Sequence, residues 1–245
     1  MIFEICVDSV QGVRSAKVAG AHRAELCANL LEGGTTPSRG MMREARKVSG
    51  IGLNVMIRPR GGDFLFDDAE FAVMEADVET AKSEGADAVV IGLLKADGTI
   101  DVERTRRLVD LARPLKVTFH RAFDMTPEPI AALETLIGLR LDRVLTSGQE
   151  PTVLEGLPLI AELIARAGNR IVVMPGGGIT ARTVERIVAG AKPKEMHFAA
   201  LELAAGGMTF RREHVFMGGE LRPSEYDRFV TSASTIRSVM AKAVR

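Results

Sequence analysis

The chain has 245 residues, with 32 Lys plus Arg against 32 Asp plus Glu, so its formal net charge is zero. That balance gives no long-range attraction to nucleic acid or an anionic membrane, and no basic run supplies a local patch. At 46% hydrophobic residues the chain can bury a sizeable core, yet no apolar stretch approaches the ~20 residues of a spanning helix.

In chain order, the start MIFEICVDSV lacks the charged region of a signal peptide and reads as a strand, Ile2–Val7. Ala24–Cys27 and Leu53–Ile57 are the second and third strands. Asp68-Ala-Glu-Phe opens a helix with Phe71, Met74, Val78 and Ala81 on one face, stopped by Gly85. The fourth strand is Ala88–Ile91, and Asp101 precedes a helix with Val102, Thr105, Leu108 and Ala112, stopped by Pro114. Lys116–Phe119 is the fifth strand. Thr126-Pro127 caps the next helix, closed by Gly138. The sixth and seventh strands are Arg143–Leu145 and Arg170–Met174. Thr180 opens a helix around Val184, Ile187 and Val188, closed by Gly190, and Glu195–Phe198 is the eighth strand. Residues 199–223 carry no period and read as an irregular loop excursion, and residues 224–245 read as a final amphipathic helix with Phe229, Ile236, Val239 and Ala243.

Strands alternating with helices argue for a parallel α/β sheet, and eight such units at this length match a single-domain TIM (β/α)8 barrel with a C-terminal helix, residues 1–245. A doubly wound open sheet is the alternative. Side chains alternate along a strand, so parity sorts each one. Phe3, Ile5, Val7, Val55, Ile57, Val117, Phe119, Met196 and Phe198 go outward to the helices. Glu4, Cys6, Glu25, Cys27, Asn54, Arg58, Thr118, His120 and His197 then point inward. Buried ions are costly unless paired or bound to a ligand. A purely structural ion network is the competing explanation.

Parallel barrels bind ligands at the C-terminal strand ends. There stand His120, Arg121 and Asp124, and the run Arg58-Pro-Arg60-Gly-Gly-Asp63-Phe64. Forked guanidiniums beside a Gly-Gly turn suit an anion. Ser147 ends the sixth strand, and Gly176-Gly177-Gly178 after the seventh resembles the phosphate-binding turn of many barrels. Glycine-rich turns of this kind also occur without a ligand.

Glu4-Ile-Cys6 and Glu25-Leu-Cys27 repeat on consecutive strands, ~4.8 Å apart in a sheet, so the two thiols can approach. Two cysteines cannot make a disulfide scaffold, which suits a reducing compartment. As ligands they suit a soft ion such as Cu(I) and fall short of structural zinc. Small buried thiols are the plain alternative.

The segments EICVDSV, RAELCANLLEGGTTPS, NVMIRPRGGDF, VTFHRAFDMT, DRVLTSG, VVMPGGGI and HVFMGG together resemble the CutC family over nearly the whole chain. The resemblance implies a cytoplasmic TIM barrel concerned with copper homeostasis, and it makes Cys6 and Cys27 the metal candidates for Cu(I). It also places Arg58, Arg60, Asp63, His120, Arg121 and Asp124 in motifs lining the barrel mouth, and His197 on strand eight. Where the family reads His-Gly-Ser, this chain has His197-Phe-Ala-Ala, which removes the Gly-Ser contribution to a phosphate contact.

Three functions follow as expectations. One is a copper-handling protein using Cys6 and Cys27. A second is an enzyme on a small phosphorylated or carboxylated anion. In it Arg58, Arg60, Asp63, Arg121, Ser147, Gly176, Gly177, Gly178 and His197 bind substrate, and His120, Glu25, Asp124 and Arg58 are the catalytic candidates, His120 as general acid/base. The third is a homo-oligomeric scaffold. No nucleic-acid or membrane partner is expected.

Overall fold

A computed structural model describes residues 1–216 and 226–244. Eight parallel strands, β1 (Ile2–Val7), β2 (Arg23–Leu26), β3 (Gly52–Met56), β4 (Ala88–Ile91), β5 (Lys116–Phe119), β6 (Arg143–Thr146), β7 (Val172–Pro175) and β8 (Glu195–Ala199), run in the order β7-β6-β5-β4-β3-β2-β1-β8. β1 pairs with β8 from Ile2↔Glu195 to Cys6↔Ala199, and a lone parallel bridge, Gly176↔His197, joins the remaining edges. The sheet thus curls into a nearly closed α/β barrel, as expected, and the open-sheet alternative falls.

Around it lie α1 (Val10–Ala19), α2 (Arg39–Arg46), α3 (Asp68–Ser83), α4 (Val102–Ala112), α5 (Pro129–Gly138), α6 (Leu157–Ala167), α7 (Val184–Ala191) and α8 (Ala233–Ala243). Local chemistry sets their ends. Asp67 caps α3 through a reciprocal capping box with Glu70, and Ser9, Ser38 and Asp101 cap α1, α2 and α4. Two helices start later than the sequence suggests. α5 begins at Pro129 rather than after Thr126, because a second proline two residues on also suits a first helical turn. α7 begins at Val184, since Thr180 and Thr183 bond each other in a preceding turn.

The excursion and tail need correction. Leu201–Ala205 forms β9 and Asp227–Thr231 forms β10, paired antiparallel, so the described part of 199–223 is not wholly irregular and the tail is not all helix. Phe229 lies on this ribbon and is exposed, whereas Ile236, Val239 and Ala243 are buried in α8 as expected. β9 is Leu-Glu-Leu-Ala-Ala, with no β-branched or aromatic residue, and this hid the ribbon beside a glycine-containing stretch. Residues 217–225, including the end of HVFMGG, lie outside the described residues.

The parity rule holds inside the barrel. Phe3, Ile5, Val55, Val117 and Phe119 belong to the apolar layer between sheet and helices. The lumen instead has an ionic floor. Glu4 accepts from Arg23 Nε and from Asn54 Nδ2, both at 2.6 Å. Glu195 accepts from Arg23 and from Arg143 Nε, the latter at 2.7 Å. All of these side chains are buried. Arg23, Arg143 and Glu195 were missed as interior residues, although each lies on the inward parity of its strand.

Removing Glu195 leaves the Arg143 guanidinium without a carboxylate and Arg23 with Glu4 alone. Glu195→Ala is expected to lower unfolding free energy by about 3–5 kcal/mol, read by urea denaturation. A loss below about 1 kcal/mol, the range of an exposed pair, would contradict a buried network.

Candidate functional site

A cavity of about 330 Å³ opens above this floor at the C-terminal ends of the strands. Cys6, Glu25, Arg58, His120 and His197 line it, with Arg121 and Asp124 at its wall and Met56 and Phe64 supplying apolar surface. Seven of the sequence candidates therefore converge. Phe64, Met56 and Glu32 were not singled out. Met56 shares the parity of Asn54 and Arg58 yet carries no charge to draw notice, and Glu32 has no sequence signal.

The lower part is a thiol–carboxylate–imidazole cluster. Cys6 Sγ and Cys27 Sγ lie 3.9 Å apart, and Cys27 Sγ donates to Glu25 Oε2 at 3.5 Å. His197 Nδ1 meets Glu4 Oε1 at 2.8 Å, while its Nε2 lies 3.8 Å from Glu25 Oε2. Cys6, Glu25 and Cys27 each place a ligand atom within 4.8 Å of the others, as do Glu4, Glu25 and His197. Cys27 is fully buried beneath the cavity, whereas Cys6 borders it.

Protonation follows from these contacts. The Cys27 thiol proton, shared between Cys6 Sγ and Glu25 Oε2, draws the Cys6 thiol down to about 5, against burial, with His197 adding to the fall. The bond to Cys6, then burial, pushes Cys27 well up. Burial holds Glu25 well above the carboxylate range despite the charge of His197. Burial also opposes the charge on Glu4, but His197 and Arg23 hold it down at about 2. For His197, burial is outweighed by Glu25, Cys6 and Glu4, which raise it well above its usual value. The arrangement that balances charge is a Cys6 thiolate beside a His197 imidazolium, with the Glu4 and Glu195 carboxylates against Arg23 and Arg143. Glu25 is then a buried acid.

The upper part is built by loops. Arg58 donates to the carbonyls of Glu32 (2.7 Å), Gly34 (3.0 Å) and Gly62 (2.8 Å), clamping the loops after β2 and β3 together. Its Nε has no partner. His120 Nδ1 accepts from Ala122 N–H at 3.0 Å, so the neutral ring carries its proton on Nε2, which is also buried and unpartnered. The Phe64 ring lies 5.1 Å from the His120 ring and 5.0 Å from the Arg58 guanidinium carbon, holding both. Gly92 leaves the space for His120, since a Cβ there would overlap the imidazole.

The remaining candidates are engaged elsewhere. Asp124 accepts from Arg121 Nε (2.8 Å), from Ser147 N and Oγ, from Gln149 N and from Thr146. It organises the loop after β6 and makes no hydrogen bond to the His120 ring, which is held by Ala122 N–H instead. Ser147 lies behind the wall, bonded to Asp124 and to the carbonyl of Glu150. Arg60 pairs with Glu70 and Asp63 and lies over Phe66, outside the cavity lining. Gly176, Gly177 and Gly178 are also outside the lining: Gly176 N–H donates to Thr146 and the Gly177 carbonyl accepts from Val153.

His120 also departs from the general acid/base expectation. Burial, then the positive charge of Arg58, lowers it to about 3, so it is a neutral donor at ordinary pH.

The comparisons with known proteins agree with this architecture. The CutC family model matches residues 1–202. The chain belongs to the CutC family. A copper homeostasis protein cutC homolog of Mus musculus is 52% identical over 242 residues, covering 99% of this chain and 89% of its own length. A family protein CutC of Mesorhizobium japonicum is 45% identical over 242 residues, covering 99% and 94%. A crystal structure of CutC from Streptococcus agalactiae superposes with a TM-score of 0.77 at 35% identity, covering 81% of this chain and 98% of that one. The family's association with copper homeostasis thus comes with a barrel whose lumen holds two adjacent thiols.

His120 supplies a pH prediction. Its folded value lies below its ordinary 6.5, so the unfolded chain takes up the proton first as pH falls, and this residue's contribution to stability is lost between 6.5 and about 3. Nitrogen shifts in long-range proton–nitrogen NMR are expected to show His120 as the neutral Nε2–H form at pH 6. An imidazolium signal there would contradict the assignment.

Proposed function

We propose that this CutC protein serves copper homeostasis by binding Cu(I) through Cys6 and Cys27. The observation that carries the reading is the 3.9 Å approach of the two sulfurs. That is far beyond the ~2.05 Å of a disulfide, and it leaves both thiols free for a soft ion. The donor chemistry fits. Thiolates select Cu(I) among available ions, and the hydrogen bond with Cys27, then His197, favours Cys6 in the anionic form a metal needs. Met56 and Val90 pack against the pair and supply the apolar part of its surroundings. Free thiols of this kind suit a reducing, cytoplasmic setting. Among the described residues no helix is long and apolar enough to cross a membrane.

A second reading is favoured by a separate observation. Two thiols do not require a cavity with a buried arginine and a buried histidine whose donors are unpaired. These suit a small anion, bound or transformed at the mouth. A homo-oligomer is the assembly we expect, and exposed Leu203 and Phe229 on the β9–β10 ribbon are apolar side chains available to it.

Competition with a chromophoric Cu(I) chelator tests the first reading. Cys6→Ser and Cys27→Ser are each expected to weaken Cu(I) binding by at least about a hundredfold, because the remaining sulfur has no equally soft partner. Undiminished affinity in the double variant would overturn it.

A further inference from the structure

We infer that the ligand of the upper cavity is a small hydroxycarboxylate, its carboxylate seated between Arg58 Nε–H and His120 Nε2–H and its hydroxyl against Glu25. This rests on the second reading above and narrows it to one chemical class.

Unpaired buried polar atoms carry the argument. Native interiors satisfy nearly all such atoms, so an orphaned donor in a cavity wall marks a missing partner. Arg58 Nε and His120 Nε2 are both orphaned, both side chains are more than nine-tenths buried, and both border one cavity. Both are donors. His120 cannot switch roles at that nitrogen while Nδ1 accepts the Ala122 N–H. The partner they need is therefore an acceptor.

Charge makes it an anion. The buried Arg58 guanidinium spends its terminal nitrogens on three carbonyls and has no carboxylate bonded to it. Arg121, the other cation on the wall, is already paired with Asp124. Glu32, whose charge acts on Arg58, is exposed at the rim and is bonded to the guanidinium only through its backbone carbonyl. A buried cation with no carboxylate bonded to it favours one negative charge on the ligand.

The number of free donors favours carboxylate over phosphate. Two N–H groups on a planar guanidinium and an imidazole match the two oxygens of a carboxylate. A phosphate draws further donors, commonly backbone N–H groups at a glycine turn and helix start. Here that turn lies outside the cavity lining, and Gly176 N–H is already bonded to Thr146. The helix after it begins only at Val184.

The far end of the ligand is set by Glu25. Its Oε1 is the third orphaned atom on this cavity, while Oε2 receives the Cys27 thiol. A hydroxyl both donates and accepts, so it satisfies Oε1 whichever form the carboxyl takes. The side walls, Phe64, Met56 and Leu145, suit the carbon skeleton between the two ends.

Isothermal titration of the full chain with glycerate, propanoate and inorganic phosphate tests the assignment. Glycerate is expected to bind at least about fivefold more tightly than propanoate, and His120→Ala to lose about tenfold for glycerate, each as expected for one lost hydrogen bond to a polar or charged group. Retained Cu(I) affinity in His120→Ala reports that it has folded. In the unmodified chain, glycerate is expected to shift the His120 Nε2 nitrogen resonance, a readout that needs no variant. Phosphate binding as tightly as glycerate would overturn the carboxylate class and leave the anion reading standing. Equal binding of propanoate and glycerate would overturn the hydroxyl. No binding by any of the three would overturn the inference and the anion reading together.

Discussion

Burying charge inside a parallel barrel is permissible only when each charge has a fixed opposite, and the floor of this lumen meets that condition. Glu4 and Glu195 are held by Arg23, Arg143 and Asn54 through short hydrogen bonds among residues on five different strands. Barrel interiors are ordinarily filled with branched aliphatics, whose packing alone sets strand positions. Here a directional network does that work, and it also fixes the electrostatics above it. Glu4 holds the Nδ1 side of His197, which leaves Nε2 turned toward Glu25. The imidazole in turn supports Cys6 as a thiolate. The hydrogen bond with Cys27 and then this imidazole favour the thiolate against burial.

The mouth shows that number of arginines is a poor guide to binding. Arg58, Arg60 and Arg121 all stand at strand ends, yet they do different things. Arg60 is consumed by Glu70, Asp63 and loop carbonyls on the outside of the barrel. Arg121 is tied to Asp124 and Ser147, which brace the loop after β6. Arg58 stitches two loops together and keeps one donor back. What distinguishes a ligand-facing side chain is the atom left without a partner, and that property depends on loop paths.

This distinction also explains how much was legible in the sequence. The barrel could be read because strand and helix periods alternate without interruption, and parity placed Glu4, Cys6, Glu25, Cys27, Asn54 and His197 inside as found. The same rule applied one step earlier on β2, β6 and β8 finds Arg23, Arg143 and Glu195. The upper site was only half legible. The motif around Arg58 and Arg60 treats the two arginines alike, but Pro59 between them and the Gly-Gly turn send them to opposite sides of the wall. His120 invites an acid/base role by residue type alone. Its burial, the adjacent guanidinium and the Ala122 N–H decide otherwise, and none of these is a local sequence property. The β9–β10 ribbon was lost for a similar reason, since antiparallel pairing across more than twenty residues leaves no periodic trace.

The two proposed ligands make electrostatic sense together. A Cu(I) ion between two thiolates would carry a net charge of minus one, and the His197 imidazolium beside it offsets that charge. A carboxylate at Arg58 and His120 would likewise offset the guanidinium. Each ligand brings its own layer to neutrality without help from the other. Coulomb energy alone therefore does not force copper and anion to bind as a pair. Glu25 is the exception, since its Oε2 accepts from Cys27 and its Oε1 faces the cavity. Deprotonating Cys27 to bind a metal removes the donor that Oε2 now holds. The carboxyl must then find another partner for Oε2 or keep its proton there, which leaves Oε1 an acceptor only. A ligand hydroxyl still satisfies that acceptor, so the metal below and the anion above meet at one shared side chain without excluding each other.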